Sequence, residues 1–404
     1  MPTLLLSNGA LTAIAVTLLV LLLRPALRNA RFWRATVTPL ASIVGSGFLV
    51  VAPLLAHIAG KWAALAMSVV VLLAYAIGSV IRFNIRHAEP LLAEAPPRLL
   101  VLTETLSKVL LSVAYLISVA FYIRLLSAFV LRSANMASEN GARILTTIIL
   151  AFIGIHGWRR GLSGLERLEE YSVTVKLSII GALLAGLAGY DFAHGFRVAE
   201  TAAQLPGPVE VLRLLAGTLL VVQGFETSRY LGLEYSAAIR VRSMRAAQWI
   251  SGLIYVIFIL LATPLLKHLP PGETAIMDLA AEVAQILPAM LVLAAIMSQF
   301  SAAVADTLGG GGLLVEQTRG RIRAEHSYLL IALCAMVLVW SANVFEIITL
   351  ASRAFAAYYL CQALVALQTS HKLENRVPHW RCYTGFGALA LILLLIVVFA
   401  IPAG

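Results

Sequence analysis

Three sites along the chain carry the residues best suited to chemistry, and each lies inside a long apolar stretch. The first is the segment Ile43-Val44-Gly45-Ser46-Gly47-Phe48, in which two glycines flank a serine. The second is Gln223-Gly224-Phe225-Glu226, and the third is Lys176. Glycine tolerates conformations that interrupt a helix, and an interrupted helix frees amide and carbonyl groups. The predicted chemistry is ligand binding, because freed amides at a helix N-terminus favour a carboxylate.

The second segment places an ionisable side chain inside an apolar stretch, which costs roughly 2.5–3.5 kcal/mol on insertion scales and marks a candidate functional group. Arg229 follows Glu226 by three residues, so the two side chains are expected to share a helix face and to pair. Two alternatives stay open. The glycines near Ser46 could form a packing seam between helices, and the Glu226–Arg229 pair could serve only to neutralise itself.

Lys176 lies about two helical turns into its apolar stretch. Its ammonium could extend to the membrane surface, or it could reach carbonyls of a broken helix, where other carriers place sodium. Ser298 and Ser301 are spaced like a pair of sodium ligands. Serine hydroxyls readily bond to their own helix backbone, however, so no metal site is predicted.

The elements that must position these residues are transmembrane helices. Of the 404 residues, 60% are hydrophobic and 12% are charged, whereas soluble domains carry about 25% charged residues. Long apolar runs without alternation predict membrane-spanning helices rather than strands. The expected fold class is all-α, a polytopic membrane protein of about twelve helices. The predicted spans are 3–23, 36–58, 62–82, 101–131, 143–158, 168–189, 209–231, 247–266, 279–305, 326–341, 344–368 and 383–402.

Lysine and arginine are concentrated in alternate connections between these spans, and such connections are cytoplasmic. An even number of spans then places both termini on the extracytoplasmic side of the cell membrane. Because these basic loops account for the net charge of +10, no nucleic-acid partner is expected. The cytoplasmic set holds Arg24, Arg28, Arg31, Arg34, Arg82, Arg86, Arg98, Arg159, Arg160, Arg167, Arg240, Arg242, Arg245, Arg319, Arg321, Arg323, Lys372, Arg376 and Arg381, and the other holds Lys61, Arg132, Arg143, Arg197 and Lys267.

The connections are too short for a soluble core, so residues 1–404 are predicted to form one transmembrane domain. The two glycine-containing segments lie in the second and seventh spans, five spans apart. Broken helices at corresponding positions of two halves indicate an inverted-repeat transporter, and repeats of five helices must be inverted because five is odd. The predicted parts are an extra helix at 3–23, a first repeat at 36–189, a second repeat at 209–368 and an extra helix at 383–402.

Three motifs together resemble the amino acid–polyamine–organocation (APC) permease superfamily, over roughly residues 36–310. Their order and spacing, more than any single motif, make the resemblance specific. The chain differs from the usual pattern in having one extra helix before the core and one after it. The motifs are Gly45-Ser46-Gly47-Phe48 followed by Pro53, Thr174-Val175-Lys176 after the loop Arg159-Arg160-Gly161, and Gly224-Phe225-Glu226 followed by Leu231-Gly232-Leu233-Glu234 and the basic run 240–245.

The resemblance implies a LeuT-like fold with ten core helices in a 5+5 inverted repeat. It implies that Lys176 stands in place of sodium, pointing to proton coupling or exchange, and that Glu226 is a proton-sensing group. It also implies that the substrate binds against the broken parts of two core helices. The implied substrate-binding residues are Ile43, Val44, Gly45, Ser46, Gly47, Phe48, Gln223, Gly224, Phe225 and Glu226.

The function that these observations predict is secondary active transport of amino acids or related amines, as a proton-coupled symporter or an exchanger. A carrier of inorganic ions or another small solute on the same fold is an alternative, as is a transport-dead sensor or scaffold. A membrane enzyme is disfavoured because no compact set of carboxylates or histidines is evident. No cofactor is expected, since the three cysteines lack metal-ligand spacing.

A few other residues inside the spans attract attention. The glycine run 309–312 lacks the lysine of a phosphate loop and is expected to loosen a helix end. The aromatic residues could line a substrate path, although packing is their commoner role. The polar candidates for the interior are Arg124, Gln299, Asp306 and Arg353, and the aromatic candidates are Tyr115, Phe121 and Tyr122.

Overall fold

A computed structural model describes residues 6–94, 96–162, 168–196, 206–269, 272–372 and 379–402. Within these ranges the chain is helical and contains no strand. Eight of the described helices are long and apolar enough to cross a bilayer, and two shorter apolar helices lie towards the two ends. The predicted all-α polytopic membrane fold is therefore confirmed. The count of twelve spans and the inverted repeat stay predictions.

Most of the described chain lies in seventeen α-helices, joined by short connections. Three 3₁₀ turns, at Gly60–Trp62, Leu219–Val222 and Thr263–His268, and a π-helical turn at Asn84–Ala88 extend or interrupt them. The α-helices are α1 Asn8–Leu22, α2 Pro25–Arg28, α3 Arg31–Ile43, α4 Ser46–Ala59, α5 Ala63–Phe83, α6 Glu89–Glu94, α7 Arg98–Ser133, α8 Glu139–Arg160, α9 Leu168–His194, α10 Pro208–Ala216, α11 Thr227–Tyr230, α12 Ala237–Ala262, α13 Ile276–Val283, α14 Leu287–Gln317, α15 Ala324–Ser341, α16 Val344–Lys372 and α17 His379–Phe399.

Polar residues mark several of the helix starts. The Ser138 hydroxyl accepts a hydrogen bond from the Gly141 amide at 2.9 Å and caps α8. Before α16, the Asn343 side chain accepts from the Glu346 amide, and the Glu346 carboxylate accepts from the Asn343 amide. Such caps satisfy amides that have no partner within the helix. They explain why α8 and α16 begin where they do.

The helix α7 lies at the centre of the bundle. It packs against both α14 and α16, and α16 packs in turn against α17. Around this centre, α8 lies against α15, α1 lies against α9, and α12 lies against α3 and α5. In a bilayer the outer helices face lipid with their apolar side chains, so only the centre can hold polar groups.

The glycine run in α14 does not loosen a helix end, as the sequence suggested, because α14 continues without interruption from Leu287 to Gln317. The run instead permits close packing. A Cβ at position 310 would lie 3.5 Å from the Tyr115 Cβ of α7, and the Ser112 hydroxyl donates to the Gly310 carbonyl at 3.3 Å. Small residues at contacts between membrane helices serve this purpose. The run therefore joins α14 to α7.

Candidate functional site

The two spans with central glycines are both interrupted at the predicted segments. The first break separates α3, which ends at Ile43, from α4, which begins at Ser46, and Val44 has non-helical dihedral angles (φ −85°, ψ 52°). The second break follows the 3₁₀ turn Leu219–Val222, where Gln223 is extended and Gly224 has a φ of 116°. Each break frees backbone groups inside the bundle. The alternative of an unbroken packing seam, raised for the first segment, is therefore wrong.

The two breaks lie directly against each other. Gly47, in the first turn of α4, is so close to the Val221 carbonyl that an added Cβ would overlap it. Gly224 lies against the end of α3, where an added Cβ would come within 2.5 Å of the Ser42 Cβ. Each glycine thus packs against the other broken helix. The absence of a side chain at both positions is what lets the two backbones cross.

A tyrosine on α12 bridges the same crossing. The Tyr255 hydroxyl lies 2.9 Å from the Ile43 carbonyl oxygen and 2.8 Å from the Val221 carbonyl oxygen. These carbonyls lie at or close to the point where each helix breaks, so the hydroxyl offers a hydrogen bond to backbone groups that the breaks leave free. Tyr255 is fully buried. It was not recognised from the sequence, since an apolar helix with one tyrosine carries no distinctive signal.

The remaining predicted residues of the first segment form the buried apolar wall of the crossing. Ile43, Val44 and Phe48 are all buried. The Phe48 ring packs 4.4 Å from the ring of Phe258, centroid to centroid. Gly45 lies between the two helix halves and precedes the first residue of α4. The side chain of Ser46 lies outside the described part of the structure.

In the second segment, Glu226 is fully buried and folds back on its own chain. Its Oε2 accepts from the Gly224 amide at 2.9 Å and from the Tyr359 hydroxyl at 2.6 Å, while its Oε1 has no hydrogen-bond partner among the described residues. Phe225 stacks on the ring of Tyr359 with 5.2 Å between centroids. A buried carboxylate oxygen without a partner requires an explanation. A proton, a water or a bound cationic group would satisfy it.

Gln223, like Glu226, has a side-chain oxygen whose hydrogen-bonding capacity is unused. Its amide nitrogen donates to the Tyr122 hydroxyl at 3.3 Å, whereas its Oε1 meets no hydrogen-bond partner in the part of the chain that the structure describes. Tyr122 is itself buried on α7. On α14, Gln299 is fully buried, and both of its polar side-chain atoms lack partners within the described ranges. Polar side chains with incompletely used bonding capacity therefore lie at the second break and on α14.

Lys176 reaches a broken helix instead of extending to the membrane surface. Its Nζ donates to the Ala41 carbonyl of α3 at 2.8 Å and to the Ser298 hydroxyl of α14 at 3.2 Å. The residue is 5% exposed. Ser301, the other serine of the pair, donates to the Ser298 carbonyl of its own helix. A positive charge thus lies near the carbonyl end of α3, where a cation is electrostatically favoured.

The expected pairing of Arg229 with Glu226 is wrong. Arg229 forms its ion pairs with Glu104 of α7 at 3.1 Å and with Glu89 of α6 at 3.8 Å, and it also donates to Gln362 of α16. The reason is local. The helix α11 is only four residues long, and the Glu226 side chain turns back to the Gly224 amide before that helix begins.

Arg229 belongs to a buried network that the sequence did not reveal, here named the inner network: Glu89, Glu104, Arg229, Arg240 and Gln362. Arg240 of α12 contacts Glu89 with two nitrogens, at 2.9 and 2.6 Å. Gln362 donates to Glu104 at 3.2 Å. The network joins five helices. Glu104, a carboxylate inside the fourth predicted span, was the available signal.

In the ranges covered by the structure, no three His, Cys, Asp or Glu side chains lie close enough together to hold a metal ion. The cysteines Cys334 and Cys361 are free thiols.

Comparison with known families decides what kind of protein carries this arrangement. The family model described as APC superfamily transporter matches residues 25–400. The chain belongs to the APC superfamily of transporters. It is a multi-pass membrane protein and a secondary transporter, in keeping with its apolar helices and broken spans. The resemblance read from the three motifs is thereby confirmed.

Relatives of this APC transporter were compared in sequence and in structure. The chain is 47% identical over 388 residues to an uncharacterized protein of Aquifex aeolicus strain VF5, and the alignment covers 94% of each. Crystal structures of two mutants of the manganese transporter of Eremococcus coleocola superpose with TM-scores of 0.54 at 12% identity, over 92% of this chain and 86% of theirs. At that identity the superposition shows a shared fold.

Proposed function

We propose that this APC transporter carries amino acids or related amines as a proton-coupled symporter or an exchanger, and that the substrate binds where the two broken helices cross. The observation that carries the proposal is the reciprocal packing of Gly47 on Val221 and of Gly224 on Ser42. It brings backbone groups of opposite polarity, from the ends of the two broken helices, to one place inside the bundle. The substrate-binding residues are those of the segments 43–48 and 223–226.

The chemistry of the crossing suits a zwitterion or an amine. The start of α4 is the positive end of a helix dipole and would hold a carboxylate through its free amides. The free Oε1 of Glu226 would hold an ammonium group. The carboxylate recognition depends on backbone atoms, so it would accept many side chains. Selectivity among substrates would come from neighbouring walls such as Phe48 and Tyr122.

Coupling would depend on Lys176 and Glu226. Lys176 bonds to the Ala41 carbonyl of a broken helix, and Glu226 bonds to the Gly224 amide of the other. A change of proton occupancy at either group would alter the hydrogen bonds that hold its broken helix. The two states of the bundle would then differ in stability, which is the requirement for coupling.

The test of this function is uptake by the purified protein in proteoliposomes, with a broad panel of labelled amino acids and amines and with imposed pH gradients. We expect accumulation or exchange of at least one member of the panel, and none in liposomes without protein. Absence of both uptake and exchange across the whole panel would refute the substrate assignment.

Changing Glu226 to glutamine is expected to uncouple transport from the pH gradient while leaving the folded structure intact. The amide oxygen can still accept from the Gly224 amide and the Tyr359 hydroxyl, but the group can no longer exchange a proton. The measurement compares gradient-driven uptake with exchange at equal pH. The control is Glu325→Gln, which alters an exposed glutamate in the first turn of α15. A Glu226→Gln variant that responds to the gradient as the wild type does would exclude this role.

Changing Lys176 to alanine is expected to lower coupled uptake by roughly ten- to a hundredfold, because a hydrogen bond from a charged donor is worth about 1.5–3 kcal/mol. The Ala41 carbonyl would lose its partner inside the bundle. Initial uptake rates in proteoliposomes measure the effect. Ser298→Ala is the matched comparison, since it removes only the weaker 3.2 Å contact and should have a smaller effect. Coupled transport that is intact in Lys176→Ala would rule out the coupling role.

A carrier of inorganic cations is the second candidate, favoured by the fold shared with a protein described as a manganese transporter. The described residues, however, contain no cluster of three metal-binding side chains. Binding of Mn²⁺ and of amino acids can be compared directly by the thermal stabilisation that each gives to the purified protein. Stabilisation by Mn²⁺ alone would favour this second candidate.

A further inference from the structure

A separate cavity of about 410 Å³ lies at one end of the bundle, here named the vestibule. Its wall is formed by the last turns of α7, the start of α8, the loop before α13 and the start of α16. Its charged lining residues are Arg124, Arg132, Glu139 and Glu273. The connection between α7 and α8 is on the side that the distribution of lysine and arginine predicts to be extracytoplasmic. A solute arriving from that side would meet the vestibule first.

Arg124 is the group in the vestibule with the most unfilled bonding capacity. The residue is only 5% exposed, yet among the described residues it forms one ion pair, to Glu273 Oε1 at 3.5 Å, and the carboxylate of Glu139 acts on it only from beyond contact distance. That distance is at the limit of a hydrogen bond, and the contact uses one of five N–H donors of the guanidinium. A buried arginine without close partners is costly. A ligand carboxylate could bind it with two parallel hydrogen bonds.

The other two charged lining residues already have close partners. Arg132 forms a 2.5 Å ion pair with Asp278, and Glu139 forms a 2.7 Å ion pair with Arg143. Their charges are therefore largely compensated within the protein. This difference singles out Arg124 as the group that would receive an anion.

The helix α7 carries residues of both the vestibule and the neighbourhood of the crossing. Arg124 lies two residues beyond Tyr122, a rise of about 3 Å along a helix, and Tyr122 contacts Gln223 of the second break. Side chains two residues apart do not share a helix face, so this rise gives only the spacing of the two residues along the helix axis.

We propose that the vestibule binds the carboxylate of a small solute through the guanidinium of Arg124, and that Glu273 is the resident carboxylate that the solute displaces. Glu273 is suited to this because its 3.5 Å contact is weak and its side chain is 21% exposed. The volume matches that of small-molecule pockets, which is about 300–1,000 Å³. The inference rests on the proposed function only for the onward path of the solute, and it narrows the substrate class to compounds with a carboxylate.

The experiment uses the full-length protein purified in detergent, with sodium propionate as the probe. Thermal unfolding midpoints are measured against propionate, sodium chloride and propylamine hydrochloride at constant ionic strength. Propionate is expected to raise the midpoint more than either of the others. In Arg124→Gln this stabilisation should disappear, whereas in Arg353→Gln it should persist, because Arg353 bonds to the Ala400 carbonyl and does not line the vestibule. A propionate response that persists in Arg124→Gln overturns the proposal.

Two further outcomes keep the test decisive. In Glu273→Gln the competing carboxylate is gone, so half-maximal stabilisation should need several-fold less propionate. An unchanged or higher propionate requirement overturns the proposal. This variant decides the matter even where Arg124→Gln does not fold. An equal response to chloride and propionate also overturns it, since that would indicate an adventitious anion. The binding readout is independent of transport. A silent transport panel with an intact propionate response would refute the proposed function and leave this site standing.

Discussion

Replacing Gly224 by alanine is expected to abolish transport and to lower the yield of folded protein. Gly224 has a φ of 116°, and an added Cβ would lie 2.5 Å from the Ser42 Cβ and 2.9 Å from the Ile43 nitrogen. A non-glycine residue held in such a conformation costs roughly 1–3 kcal/mol. The forced separation of packed groups costs roughly another 1–3 kcal/mol. Because the clash is with the end of α3, it would open the crossing itself.

The measurements are the unfolding midpoint in detergent and the initial uptake rate. Gly312→Ala is the matched control, because Gly312 lies inside α14 with no atom near its added Cβ. That control should be neutral or stabilising, by up to about 1 kcal/mol, since alanine favours the helix. A Gly224→Ala variant with wild-type stability and uptake would mean that the close crossing is unimportant.

Replacing Arg229 by alanine is expected to lower the free energy of unfolding by about 3–5 kcal/mol. A loss of this size is usual when one partner of a buried ion pair is removed. Glu104, whose side chain is 11% exposed, would keep a negative charge without its 3.1 Å partner. The inner network joins helices on the side predicted to be cytoplasmic. Weakening it should therefore also favour opening of the helix bundle on that side. The unfolding midpoint measures the loss of stability. The reactivity of a cysteine introduced on the side predicted to be cytoplasmic measures the opening of the bundle there.

The control for this change is Lys108→Ala, which removes a 2.6 Å ion pair with Glu316 whose side chains are 25% and 55% exposed. Exposed pairs contribute only about 0–1 kcal/mol. The double variant Arg229→Met with Glu104→Met should recover stability relative to Arg229→Ala, because no uncompensated charge stays at Glu104. Equal destabilisation by Lys108→Ala and Arg229→Ala would contradict the account of the inner network.

The sequence predicted the positions of the two breaks because glycine inside a membrane helix either interrupts it or packs against a neighbour, and Gly45 and Gly224 lie five spans apart, as in an inverted repeat. It also predicted that Lys176 would reach a broken helix as one of two alternatives. The contact of Gly224 with Ser42 could not be predicted, since it depends on how helices far apart in sequence are placed. Local patterns identify breaks but not the partners of the freed groups.

The incorrect prediction for Arg229 also concerned the partner of a side chain. A three-residue spacing implies a shared face only when the residues lie in one helix, and α11 begins after Glu226. The hydroxyl of Tyr359 at Glu226 and the carboxylate of Glu273 at Arg124 were also missed. One lies in an ordinary aromatic run and the other in a loop, so neither position is distinctive in the sequence.

The central claim is that substrate binds at the crossing of the two broken helices. Its most direct test is an experimental density map of the protein with a compound that it transports in proteoliposomes. We expect ligand density between residues 45–47 and 224–226, with the carboxylate or amine within hydrogen-bond distance of those segments. Density for the compound at another place in the bundle, with the crossing closed by the protein alone, would contradict the account.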